Sequence, residues 1–393
     1  MAVMLTGMCT FFSVYCTQPL LPLLQDLFHA SELEVSLTVS STTFAIALTA
    51  PIIGMLAERI GRKKVIVPAL FGLTLATLLC ATAGSLHALI VWRFVQGLFV
   101  PGVVAVVHAY INEEWSGRGV GRAMSFYVTG TVIGGFLGRF LAGVIVSHWH
   151  WRAAFIVIGL LNLIGAVLVR RWLPRAQNFV RAPHLGHALE GVRTHLRNPR
   201  LLATFGMGFA VLFTLVGTFT YTNFYLAKAP FNLTSAQLGS VFFVYLLGVF
   251  ITPLSGKYLD LYGFRKTALL SFTMIASGLL LTLAHTLTPV IIGLAVFSSG
   301  VFISQAAATV QTGVIAGHAR SSAAGLYMSC YYLGGSAGAT LTGWTWVAAG
   351  WPACIALLVS VAIVSLVLAI ISSRGVTPEI ETTVARCQLP DAS

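Results

Sequence analysis

Long stretches of this chain carry no charged side chain, and short basic stretches separate them. Met1 to Gln25, Val35 to Ala57, Val65 to Trp92, Leu201 to Ala227 and Ala229 to Gly256 are uncharged. So are Thr267 to Ala319 and Ser321 to Ser373, each long enough for two membrane helices. Turn chemistry breaks both, at Leu287-Thr288-Pro289 and at Ala349-Gly350-Trp351-Pro352. A helix needs about 20 apolar residues to cross a bilayer. The pattern therefore predicts an all-α integral membrane protein of 12 spans, over about 3–24, 34–56, 65–84, 87–110, 122–146, 151–172, 200–224, 236–258, 264–284, 288–312, 322–346 and 350–372. Met1 to Leu24 lacks the basic start and small-residue cleavage site of a signal peptide and reads as the first span.

The polar segment Leu173 to Pro199 divides the chain nearly in half. The expected organisation is a six-helix bundle over 1–172, a connector over 173–199, a second six-helix bundle over 200–372 and a tail over 373–393. Ala188 to Leu196 has the composition of a short amphipathic helix lying on the membrane surface.

The two halves repeat each other. Pro51-x-x-Gly54-x-x-x-Glu58-x-x-Gly61-x-Lys63-Lys64 returns as Pro253-x-x-Gly256-x-x-x-Asp260-x-x-Gly263-x-Arg265-Lys266. A second block, Tyr127, Gly134, Gly135, Gly138, Gly143 and Trp151, returns as Tyr327, Gly334, Gly335, Gly338, Gly343 and Trp351. Two blocks recurring at nearly one offset indicate duplication, and repeated six-helix halves are a transporter plan with the substrate site between them. Gly130, Gly134 and Gly138 fall on one helix face, as do Gly334 and Gly338, and small residues at this spacing let helices approach closely. That face serves static packing, a sliding contact, or both.

Composition narrows the class further. The chain is 57% apolar and 9% charged, against about 25% charged in soluble proteins. An ordinary soluble enzyme is excluded. The formal charge of +12 is a topology signal rather than a nucleic-acid footprint. With both termini in the cytoplasm, all 23 Lys and Arg fall on that side except Arg93, Arg139, Arg152 and Lys228. The six cysteines lack paired or metal-ligand spacing, the His148-x-His150 pair has no further ligands to complete a site, and no ATP-binding loop or catalytic nucleophile motif is present. The reading is a non-enzyme with no metal and no cofactor beyond a proton gradient. Its partners are a small-molecule substrate and the lipid bilayer, not nucleic acid, and it functions as a monomer.

Two charges lie within spans, where they are costly and usually functional. By helical rise, Arg93 in span 4 and Arg139 in span 5 sit about 9–10 Å below the outer surface, level with Gln18 of span 1. Both are expected to face the central cleft with Gln18 close by, satisfaction of local backbone being the alternative. No Asp or Glu lies deep in a span. Proton-coupling candidates are therefore Asp26 and Glu34 at the rim, Glu58 in the loop, or His108 near the inner end of span 4. A partner for the arginines is one of those rim carboxylates or an anionic substrate. Tyr15, Gln96, Tyr221, Asn223, Gln305, Tyr327 and Tyr331 are further candidates for lining a substrate path, with helix packing as the alternative.

At this level the chain resembles the major facilitator superfamily. Gly54-Met55-Leu56-Ala57-Glu58-Arg59-Ile60-Gly61-Arg62-Lys63-Lys64 is similar to its signature loop, with Glu58 in place of the commoner Asp. Arg93-Phe94-Val95-Gln96-Gly97 and Gly130 through Gly143 resemble motifs of its drug:proton antiporter branch, though Gly135 stands where that branch has Pro. Tyr15-Cys16-Thr17-Gln18-Pro19, Gly138-Arg139 and Tyr331-Tyr332-Leu333-Gly334 resemble the bacterial arabinose-efflux (YnfM-type) permeases. The resemblance implies the major facilitator fold and proton-driven transport of a small molecule across the bacterial inner membrane, with efflux by antiport as the leading direction; the two intramembrane arginines without a deep carboxylate favour a polar or anionic substrate. Uptake by symport is the alternative, and a channel is the rival of another class. Recurrence of the loop at the matching place in each half points to a gating role for Gly54, Glu58, Arg59, Gly61, Arg62 and Lys63, and for Gly256, Asp260, Gly263 and Arg265, through salt-sensitive contacts that form in one state and break in another.

Overall fold

The computed structural model describes residues 1–115, 118–174, 176–178, 193–316 and 320–373. Among these residues the regular structure is helical: α1 (Ala2–Val14), α2 (Leu21–Phe28), α3 (Glu32–Ile60), α4 (Arg62–Cys80), α5 (Leu86–Phe99), α6 (Pro101–Glu114), α7 (Arg118–His148), α8 (Trp151–Trp172), α9 (Pro199–Ala227), α10 (Ser235–Val241), α11 (Leu247–Leu281), α12 (Leu287–Ala316) and α13 (Arg320–Ser372). Two 3-10 turns, Gln18–Leu20 and Phe242–Leu246, lie between α1 and α2 and between α10 and α11. Nine of the described helical segments are long and apolar enough to cross a membrane. The expected surface helix over 188–196 and the tail after 373 fall largely outside the described residues.

The breaks follow backbone chemistry. Gly61 has φ 98° and is the single residue between α3 and α4. Gly263, its repeat partner, has φ 76° and kinks α11 at the matching place. Side chains resist this region of backbone space and glycine does not, so each signature loop is one residue of left-handed backbone, tighter than the spans at 56/65 and 258/264 anticipate. Ala349 and Gly350 break α13 where a boundary was expected. The first span is a correction, because it is interrupted between Val14 and Gln18 rather than continuous over 3–24. Pro19 and Pro22 each lack the amide that would bond one turn back.

The duplication is visible in packing. α1 packs on α7, and α9 packs on α13. A Cβ added to Gly134 or Gly138 would strike the carbonyl oxygens of Met8 or Phe12, and one added to Gly334 or Gly338 those of Phe209 or Phe213. These seams are backbone to backbone, and each lies within its own half of the chain. The starts of α3 and α10 also repeat: Ser31 with Glu34, and Thr234 with Gln237, form capping boxes. Lys63 donates to the carbonyl of Leu173 at the end of α8, while Arg265 Nε donates to Ser373 Oγ at 2.8 Å at the end of α13. Each signature loop is thus tied to the last helix of its own half.

The two halves meet along α3 against α13 and along α7 against α10. One end of the molecule, the basic end, carries the signature loops. At the opposite end Lys228 pairs with Glu32 at 2.9 Å, and Gly143 lies against the backbone of Ser235. The described conformation is closed at that opposite end.

The seams carry a stability prediction. Gly134→Ala and Gly334→Ala should each lower the unfolding temperature in detergent, by a loss of about 1–3 kcal/mol from overpacking. Gly54→Ala should be near neutral, because a Cβ there meets nothing within 4 Å. Thermal unfolding of the three variants checks this ordering.

Candidate functional site

The interrupted first helix organises the polar interior. Ending α1 at Val14 frees carbonyls that a continuous helix would use. Arg93, fully buried on α5, donates through Nη1 to the Ser13 carbonyl at 2.9 Å and through Nη2 to the Val14 carbonyl. Its Nε reaches the Thr38 carbonyl on α3 at 3.0 Å, and Nη1 also reaches Gln96 Oε1. Gln96 passes the chain on, donating to Thr77 at 2.6 Å. Thr77 and Asn162 both donate to the Ser13 hydroxyl. One network therefore joins α1, α3, α4, α5 and α8. This corrects the expectation that Arg93 faces the cleft with Gln18 close by: its donors are taken up by backbone and Gln96 inside the first half of the chain.

Arg139, on α7, lies at the seam between the halves and is 2% exposed. Its Nε donates to Gln18 Oε1 at 2.7 Å and its Nη1 to the Gly135 carbonyl at 2.6 Å. Gln18 in turn reaches Thr220 on α9 at 3.4 Å. Three rings surround the guanidinium: Tyr15 at 4.6 Å, and Phe242 and Tyr245 at 4.7 Å each. Phe242 and Tyr245 come from the other half of the chain. They are three apart in a 3-10 turn, whose three-residue period brings them to one side. The sequence reading paired Gln18 with Arg139 and missed both rings. Their spacing inside an apolar run gives no sign that the local period is three.

No carboxylate answers Arg139 among the described residues. The expectation that Asp26 or Glu34 reaches in does not hold. Asp26 is exposed, and Glu34 closes the cap of its own helix through Ser31. Glu32, not singled out from sequence, is the rim carboxylate with a partner, Lys228. Lys228 also lies 5.3 Å from the Trp346 ring.

The remaining candidates separate into groups. Tyr221 is buried and donates to the Ala339 carbonyl at 3.0 Å; Asn223 donates to the Phe219 carbonyl one turn back. Both are occupied by local backbone. Tyr327 donates to Gln305 at 3.0 Å and stacks with Tyr331 at 6.1 Å, which makes a polar-aromatic group on α12 and α13. His108 holds the Val104 carbonyl at 2.7 Å and meets the Tyr127 ring edge-on at 4.9 Å. The Tyr127 hydroxyl is buried without a partner among the described residues. In the signature loop Arg62 forms a forked bond to Glu113 on α6, with Nε 3.1 Å from both carboxylate oxygens. Glu58 and Asp260 have no hydrogen-bond or ion-pair partner among the described residues, and Arg59 and Asp260 are exposed. Gly54 and Gly256 face open space. No group of three or more metal-ligating side chains occurs among the described residues.

Comparisons with known proteins agree with this architecture. The family model described as Major Facilitator Superfamily matches residues 3–229 and 220–388. A protein called "Uncharacterized transporter" from Buchnera aphidicola subsp. Schizaphis graminum is 31% identical over 94% of this chain and 90% of its own length. The "Inner membrane transport protein YnfM" of Escherichia coli K12 is 32% identical over 89% of this chain and 84% of its own length. Among solved structures, a bacterial homolog of the human lysosomal transporter Spinster, in an inward-facing and unoccupied conformation, superposes with a TM-score of 0.73. The superposition covers 100% of this chain and 98% of that one, at 15% identity.

The Arg93 network makes its own prediction. Arg93→Met should leave several buried carbonyls unanswered, at a cost of about 1–3 kcal/mol for each group not rescued by water. Arg93→Lys should recover little, since an ammonium cannot reproduce the planar fork. Monodisperse yield and unfolding temperature report the loss directly, and a lysine variant as stable as the parent would contradict it.

Proposed function

The chain belongs to the major facilitator superfamily, and on that premise we propose that it is a secondary active transporter of a small polar or anionic organic molecule, working by alternating access in the bacterial inner membrane. In this reading the breaks at Gly263 and at Ala349-Gly350, together with the interrupted first helix, give 12 spans in two six-helix bundles. The bundles cover 1–172 and 200–372, with both termini cytoplasmic and the monomer as the working unit. The direction is export, driven by protons.

The single observation carrying the substrate class is Arg139. It is a buried cation at the seam between halves, held by rings and an amide and by no carboxylate among the described residues. A buried charge left without a counter-charge is expensive, so an anionic or strongly polar ligand is stabilised there over a lipophilic cation. Closure at the opposite end supports alternating access, because a transporter must hold one face shut while the other opens. Glu58 and Asp260, free of partners in this conformation among the described residues, suit contacts that form in the other one. His108 is the proton-coupling candidate that remains within a span, against the Tyr127 ring.

Purified protein in liposomes with an imposed pH gradient tests the reading. Saturable movement of a labelled organic anion, abolished by a protonophore, is the expected result. Flux no greater than that of empty liposomes across a panel of anions and neutral analogues would overturn it. Glu58→Gln should cut that flux about tenfold while insertion and unfolding temperature stay normal. Unchanged flux in that variant would remove the gating role.

A further inference from the structure

We propose that Arg139 is a latch between the two halves, and that a small aromatic carboxylate is the ligand that releases it. The inference rests on the transport reading above and specifies its substrate class. It starts from which half supplies each contact. Gln18, Gly135 and Tyr15 belong to the same half as Arg139 and travel with it. Phe242 and Tyr245 belong to the other half, and separation of the halves at the opposite end withdraws both rings. The Gln18 bond to Thr220 breaks in the same movement.

Cation–π contacts are strongest where water is excluded, and Arg139 is 2% exposed. In the closed conformation the guanidinium therefore holds the two halves together. Opening strips two of its three aromatic faces and leaves a cation that only Gln18, a backbone carbonyl and the Tyr15 ring answer. A ligand that replaces what is lost binds the opened seam better than the closed one, and only such a difference shifts the population. Two properties are needed. A carboxylate answers the guanidinium, whose second terminal nitrogen has no hydrogen-bond partner among the described residues. An aromatic ring takes the place of the Phe242 and Tyr245 faces beside Tyr15. The Thr17 hydroxyl, adjacent to Gln18 and fully buried without a partner among the described residues, offers a further hydrogen bond at the same break in the first helix.

The test reads the opening itself. Ketone-bearing unnatural residues at the exposed positions 148, at the end of α7, and 232, ahead of α10, carry nitroxides through oxime bonds in the full-length protein in nanodiscs. Pulsed dipolar spectroscopy then gives the distance between halves. Without ligand, the paired change Phe242→Leu with Tyr245→Leu removes two ring contacts and should raise the ratio of long to short distances by at least about thirtyfold, the factor that one desolvated cation–π contact represents. Arg139→Gln should raise it similarly, and combining all three should add little more. Additive effects, or distances unchanged in both variants, would overturn the latch.

Benzoate is the ligand probe, with benzamide and acetate as controls. Benzoate should shift the wild-type distances in a saturable way, and the controls should not at equal concentration. The shift should vanish in Arg139→Gln and persist in the Phe242→Leu/Tyr245→Leu variant. An equal response to benzamide, a response surviving in Arg139→Gln, or no response to benzoate would overturn the ligand class. A benzoate-driven shift without any liposome flux would count against transport and leave the latch standing. Flux of other anions without the shift would do the reverse.

Discussion

A carbonyl group inside a bilayer has no water to turn to, and this constraint orders the interior of the protein. The first helix stops at Val14 and resumes at Gln18. The freed carbonyls must be met by protein donors or the segment cannot stay at membrane depth. Arg93 meets two of them and adds a third from α3, so the most expensive side chain in the membrane becomes the one that repairs the most expensive backbone. Once that repair is in place, α1, α3 and α5 are fixed relative to one another. Thr77, Gln96 and Asn162 then extend the network to α4 and α8. The same interruption places Tyr15 and Gln18 beside Arg139, so the break that needs one arginine positions a second for a different task.

The two intramembrane arginines occupy contrasting surroundings. Arg93 is held by oxygens from one half of the chain, with every contact rigid and local. Arg139 is held partly by ring faces from the other half, which are directional but impose no fixed bond geometry. Ring contacts yield when helices shift by an ångström or two, whereas a forked hydrogen bond to backbone does not. The first arrangement suits a structural core and the second suits a surface that parts and closes. Glu32 with Lys228 repeats the second pattern at the rim, where solvent weakens the pair further.

Much of this was legible in the sequence. Uncharged runs located the helices, the basic residues marked one end, and twelve recurring positions showed the duplication that packing bears out at Gly134/Gly334 and Gly138/Gly338. The site was only half legible. Gln18 and Arg139 were matched by depth along their helices, a quantity the sequence carries. Phe242 and Tyr245 were not, because their meaning depends on a local change to a three-residue period within an apolar run. Arg93 was assigned to the cleft because depth does not report azimuth: two residues at one level can face opposite ways around a helix. The broken first helix had its signal in Pro19 and Pro22, which a hydropathy reading counts as part of an uncharged run.

The one-residue links at Gly61 and Gly263 have a mechanical consequence. A loop of several residues acts as slack, letting one helix tilt while the next stays still. A single residue with left-handed backbone, flanked by helix on both sides, behaves as a stiff elbow. Tilt of α3 must pass into α4, and tilt of the first part of α11 must pass into its second part. Lys63 and Arg265 fasten each elbow to the final helix of its half, so a push at the seam reaches the far side of the bundle without being absorbed on the way. The helices of each half are thereby coupled as one body rather than standing as independent walls.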